Sequence, residues 1–139
     1  MKQTGWALSI AGLVPFIGLT LTQLATPSPD TLHALLAYAA VILAFLGGIQ
    51  WGIGMRIDGD SKQSSWVMGL SIFPSLIAWA ALLQSSEILG ILMAVAGLLS
   101  ALAVDYYLHR MEVLTDWFWA MRWRISALAV SCLLLALIG

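Results

Sequence analysis

Ala44-Phe-Leu-Gly-Gly-Ile-Gln-Trp-Gly-Ile-Gly54 places four glycines and one amide at the end of an apolar run from Leu35 to Met55. Residues 34–55 contain no Asp, Glu, Lys, Arg or His. About 20 such residues cover a hydrocarbon core of about 30 Å as a helix, so the run reads as a membrane span. Gly48 and Gly52 form a small-xxx-small pair, which Ala37, Ala40 and Ala44 extend. Small residues let helix backbones approach closely, the main source of helix association in lipid. The same glycines would also let the helix unwind around a ligand. Gln50 falls near the face of Leu43 and Gly47, away from Gly48 and Gly52. An amide in the bilayer needs a partner, so Gln50 is expected to face other helices and bond there.

Four further runs have the same character: about Trp6 to Leu24, Trp66 to Leu83, Ile88 to Leu108, and Trp117 to Ile138. The expectation is an all-α integral membrane bundle of five transmembrane helices forming a single domain over residues 1–139. Composition agrees. Of 139 residues, 61% are hydrophobic and 9% charged, against about 25% charged in a soluble domain. A net charge of −1 leaves no basic face for nucleic acid. The single cysteine, Cys132, excludes a disulfide framework.

Pro15 and Pro74 lie within spans, where neighbouring helices can satisfy the freed carbonyls. Asp30 or Thr31 is expected to cap the second helix. Gln84-Ser85-Ser86-Glu87 is a tight hairpin that makes helices three and four antiparallel neighbours. Arg56 to Ser65 is a polar loop with Asp58-Gly59-Asp60. The first span is read as a retained helix, because Gln23-Leu24-Ala25 is a poor signal-peptide cleavage site.

With five spans, Lys2, Arg56, Lys62, Arg110, Arg122 and Arg124 all share one side, which gives N-terminus inside and C-terminus outside. A reporter fused after Gly139 should therefore read as periplasmic in a bacterial inner membrane. A cytoplasmic readout would mean that the spans are miscounted.

The best polar constellation follows the fourth span. Asp105, His109, Glu112 and Asp116 share one helical face if that helix continues to Thr115. Asp, His and Glu can ligate metals, but no second histidine is near, so no metal and no cofactor is assigned. The solvated-face reading is preferred. After Arg124 only Ile125 to Gly139 remain, about 22 Å of helix. Arg122 and Arg124 must therefore enter the interface, and Asp105 ends the fourth helix at a similar depth. A bidentate Asp105 pair with one of them is expected, with the other left for a headgroup. Trp117, Phe118, Trp119 and Trp123 beside the arginines read as an aromatic belt or as a headgroup cradle. No serine has a base at its depth, so no catalytic residue is assigned.

Tyr38-Ala-Ala-Val-Ile-Leu-Ala-Phe-Leu-Gly-Gly-Ile-Gln-Trp-Gly52 resembles the central motif of an uncharacterised family that includes bacterial inner-membrane proteins and the mitochondrial transmembrane protein 69. Leu13-Val-Pro15-Phe16, Phe73-Pro74-Ser75-Leu76-Ile77-Ala78-Trp79, Asp105 and Trp117-Phe-Trp-Ala-Met-Arg-Trp-Arg124 fit as well. The family often has histidine where this chain has Gln50; a hydrogen-bonding role survives that change, a metal-ligating one does not. The resemblance implies a five-helix inner-membrane protein and supplies no reaction. It marks Gln50, Trp51, Arg56, Ser75, Asp105, Arg122 and Arg124 as one inward-facing polar cluster, with Gly47, Gly48, Gly52 and Pro74 as packing positions.

The leading functional expectation is a non-enzymatic interaction or accessory protein, surrounded by membrane lipids and packed with itself or with a larger complex. The alternatives are a small oligomeric channel or facilitator, and a lipid or quinone binder using the aromatic-arginine cleft.

Overall fold

The computed structural model describes residues 2–57 and 62–138. It comprises α1 (Lys2–Ala25), α2 (Pro29–Arg56), α3 (Lys62–Leu70), α4 (Phe73–Leu82), α5 (Glu87–Arg110) and α6 (Asp116–Ala136). There is no strand among the described residues. α3 and α4 together make one span, so five segments are long and apolar enough to cross a membrane. Asp58-Gly59-Asp60 of the expected polar loop lies outside the described residues.

The break in the third span is a consequence of Pro74. Proline lacks an N–H, and its ring clashes with the carbonyl four residues back. The helix therefore stops at Leu70, and the Ile72 N–H reaches only three residues back, to the Gly69 carbonyl. Pro74 then starts α4 in the first turn, where a missing N–H costs nothing. The continuous helix expected from Trp66 to Leu83 is thus two helices in one span.

Capping moves the other boundaries. Ser28, not Asp30 or Thr31, caps α2, accepting the Asp30 N–H, and Pro29 follows in the first turn. Ser86 caps α5 by accepting the Leu89 N–H. At the far end α5 stops at Arg110, well short of Thr115. The Glu112 N–H bonds the His109 carbonyl and the Val113 N–H bonds the Leu108 carbonyl, with Glu112 left-handed at φ 62°. This is a Schellman stop with glutamate where glycine is usual. The helical face expected for Asp105, His109, Glu112 and Asp116 is therefore cut at Glu112. Glu112→Gly should stabilise the protein by up to about 1 kcal/mol, because the left-handed penalty outweighs the extra freedom of glycine in the unfolded chain. A lower melting temperature in detergent would contradict this.

α2 is the central element. It packs against α1, α3, α4 and α5, while α6 closes the bundle between α1 and α5. The core is leucine and alanine: Leu36, Ala39, Ala40 and Leu43 of α2 meet Ile91, Ala94, Leu98 and Ala101 of α5. Lipid is as apolar as these side chains, so their contacts stabilise by close packing rather than by removal from water. Outward positions such as Leu8, Val41, Phe45 and Trp79 are each more than 60% exposed, as a bilayer-facing surface requires.

Candidate functional site

Three helices bring one polar group each to a single buried point. Asp105 lies near the end of α5, Arg122 in the second turn of α6, and Gln50 in the glycine-rich half of α2. Arg122 Nε donates to Asp105 Oδ2 at 2.8 Å, and both side chains are buried. Gln50 Nε2 donates to Asp105 Oδ1 at 3.1 Å and to the Ala101 carbonyl at 2.9 Å. A carboxylate out of water needs donors on both oxygens, and this one has them. The bidentate fork expected for the pair does not form: Arg122 pairs through Nε alone, and Gln50 donates to the other oxygen. Arg122 Nη2, Gln50 Oε1 and Ser126 Oγ are buried and without a protein partner.

Arg124 takes no part. It is two residues beyond Arg122 and so about 200° around the helix. It is exposed, with its guanidinium 5.9 Å from the Trp6 ring and 5.4 Å from the Trp123 ring. The aromatic set does not form one cradle either. Trp119 stacks on His109 at 5.5 Å and meets Tyr106, while the Trp117 ring lies against α1 at Gly5. His109 Nε2 bonds Asp116 Oδ1 at 3.0 Å. Among the described residues no three metal-ligating side chains converge.

The remaining candidates sit apart. Trp51 and Arg56 are exposed, and Ser75 lies on the α4 surface against Gly47. Gly47 is a close-approach glycine: a Cβ there would stand 2.7 Å from the Ser71 carbonyl oxygen and 3.4 Å from Pro74 Cβ. Gly48 and Gly52 face out of the bundle, with nothing within 4 Å of a Cβ. Gln50 sets this rotation: its burial turns positions 48 and 52 outward.

Beside the polar cluster is a chamber of about 730 Å³ between α1, α2 and α6. α1 lines it with Gly5, Ser9, Gly12 and Phe16, a single helical face whose small residues recess the wall. α2 contributes Phe45 and Ile49, and α6 contributes Trp117, Phe118, Met121, Arg122 and Ser126. Leu8 and Phe45, 68% and 63% exposed, stand at its edge and open it toward the bilayer. Arg122 therefore has two aspects: its Nε holds Asp105, and it also forms part of the chamber wall. Ser126, one turn further along α6, shares that wall. Other helix serines, Ser100 and Ser131, return their hydroxyls to the carbonyls of Ala96 and Ala127; Ser126 does not. The sequence signal for Ser126 is its spacing of four from Arg122, which no search for a nucleophile and base would select.

The family model described as "Protein of unknown function (DUF3429)" matches residues 1–138. The chain belongs to this family. DUF3429 includes no reaction in its description. The chain is 34% identical to transmembrane protein 69 of Xenopus tropicalis over 135 residues, covering 95% of this chain and 53% of that protein. It is 34% identical to transmembrane protein 69 of Mus musculus over 118 residues, 83% of this chain and 47% of the relative. The chain thus spans about half the length of these curated relatives. No solved structure matches. This DUF3429 chain is a multi-pass membrane protein of helical-bundle type.

Proposed function

We propose that this protein is a non-enzymatic accessory protein of the bacterial inner membrane that holds an apolar molecule of the bilayer in the chamber between α1, α2 and α6. The observation that carries the reading is the chamber's largely apolar wall, bordered by the exposed Leu8 and Phe45 at the bilayer-facing surface. The chamber's volume lies within the range of about 300–1,000 Å³ typical of small-molecule sites.

The test is extraction in a mild detergent, followed by mass spectrometry of the organic extract. About one apolar molecule per chain should accompany the wild-type protein. It should be lost from a folded Ser9→Phe variant, in which the new ring fills the chamber and only the bond from Ser9 to Met121 Sδ is removed. Equal recovery from both proteins, or none from either, would end this reading.

A second reading, association with another helix, draws support from Gly48 and Gly52, whose bare faces point outward from α2. The oligomeric channel draws less support. The polar groups of the cluster are mostly closed on one another, and the chamber wall is largely apolar.

A further inference from the structure

We infer that Arg124 and Lys2 form a binding site for the phosphate of an anionic phospholipid, on the outer surface where α1 and α6 meet. The two helices run parallel: Trp117 packs on Gly5 near their starts, and Thr20 donates to the Cys132 carbonyl farther along. Of the six basic residues, Lys2, Arg56, Lys62 and Arg110 each begin or end a helix, where water reaches them. Arg122 is buried against Asp105 at 2.8 Å. Arg124 alone is exposed, lies well inside a span and makes no ion pair among the described residues. Only Ile125 to Ala136 of α6 follow it, about 18 Å of helix against a hydrocarbon core of about 30 Å. Its Cα therefore stands within the edge of the hydrocarbon, where a charge without a partner is costly.

The surroundings select the partner. The guanidinium is held 5.9 Å from the Trp6 ring and 5.4 Å from the Trp123 ring. The rings attract the charge but bring no anion to neutralise it. Its N–H donors still need acceptors, and their fork suits a phosphate. A second copy of this chain offers no carboxylate at that depth. Among the described residues Asp105 is buried, Asp30, Glu87 and Asp116 lie in first helix turns, and Glu112 lies in the turn between α5 and α6. The anion present at the edge of the hydrocarbon is the lipid phosphate. Lys2 lies one turn before Trp6 on the same face of α1, so the site carries two positive charges. A headgroup with net negative charge answers both, whereas the ammonium of a zwitterionic headgroup would add a third positive charge.

The experiment is native mass spectrometry of the purified full-length chain in mild detergent, titrated with dioleoylphosphatidylglycerol or dioleoylphosphatidylcholine. Phosphatidylglycerol should bind about tenfold more tightly than phosphatidylcholine, the scale of one charged hydrogen bond. Arg124→Gln should remove that preference without lowering the melting temperature. Trp6→Leu keeps the charge but removes a ring that holds it, and should weaken phosphatidylglycerol about threefold. Arg56→Gln, at the end of α2, should change nothing. Equal binding of the two lipids by the wild-type chain would overturn the inference. So would an Arg56→Gln effect as large as that of Arg124→Gln, which would mean diffuse attraction, or displacement of the lipid by inorganic phosphate, which would mean a soluble ligand. If Arg124→Gln does not fold, Trp6→Leu decides, and an unchanged affinity for phosphatidylglycerol overturns the inference. Arg124 does not line the chamber, so each of these results leaves the proposed function untouched.

Discussion

Asp105→Asn should destabilise the protein by about 3–5 kcal/mol, because it leaves the Arg122 guanidinium charged, buried and without its counter-ion. Arg122→Gln should cost a similar amount by stranding the carboxylate, although Gln50 still donates to Asp105 Oδ1. Removing both should cost less than removing either, since no uncompensated charge remains. In a double-mutant cycle the coupling should exceed about 1 kcal/mol. The parallel cycle with Arg124→Gln should be additive, because Arg124 lies on the opposite face among Trp6 and Trp123. Thermal or denaturant unfolding in detergent measures both. Additivity in the Arg122 cycle would show that the 2.8 Å contact carries no energy.

Gly47→Ala should cost about 1–3 kcal/mol, the usual cost of overpacking. The new methyl would meet the Ser71 carbonyl oxygen at 2.7 Å, and backbone cannot rotate away as a side chain can. The adjacent Gly48→Ala should be neutral, or stabilising by up to about 1 kcal/mol through helix propensity alone. The contrast separates two roles within one motif. Position 47 determines whether the bundle closes. Position 48 matters only if a second helix docks on the outer face, so Gly48→Leu should alter oligomer size without altering the melting of the monomer. Equal destabilisation at 47 and 48 would mean that α2 is rotated relative to this structure.

The five spans were legible because lipid imposes a strict condition: about 20 apolar residues in sequence, each with its backbone bonded internally. That condition acts on each segment alone, so it appears in the sequence without any knowledge of neighbours. The inward direction of Gln50 was legible for the same reason, since an amide in hydrocarbon needs a partner. A basic partner for Asp105 on α6 was expected as well, since a carboxylate at the end of an apolar span seeks a cation, and Arg122 is that partner.

Other features needed the assembled bundle. Which arginine takes Asp105 depends on the rotation of α6, and 122 and 124 differ by about 200°. The second donor to the carboxylate is Gln50, which reaches the other oxygen from a third helix while Arg122 pairs through Nε alone. The halt of α5 at Arg110 turns on Glu112 entering the left-handed region, a conformation its residue type does not favour. The outward turn of Gly48 and Gly52 follows from the burial of Gln50 and Gly47 against α4 and α5. Ser126 gains meaning only from the chamber beside it. A single sequence specifies the length, polarity and periodicity of each helix. The rotation of each helix about its axis is set by which faces its neighbours cover, so the site those rotations assemble is a property of the tertiary structure.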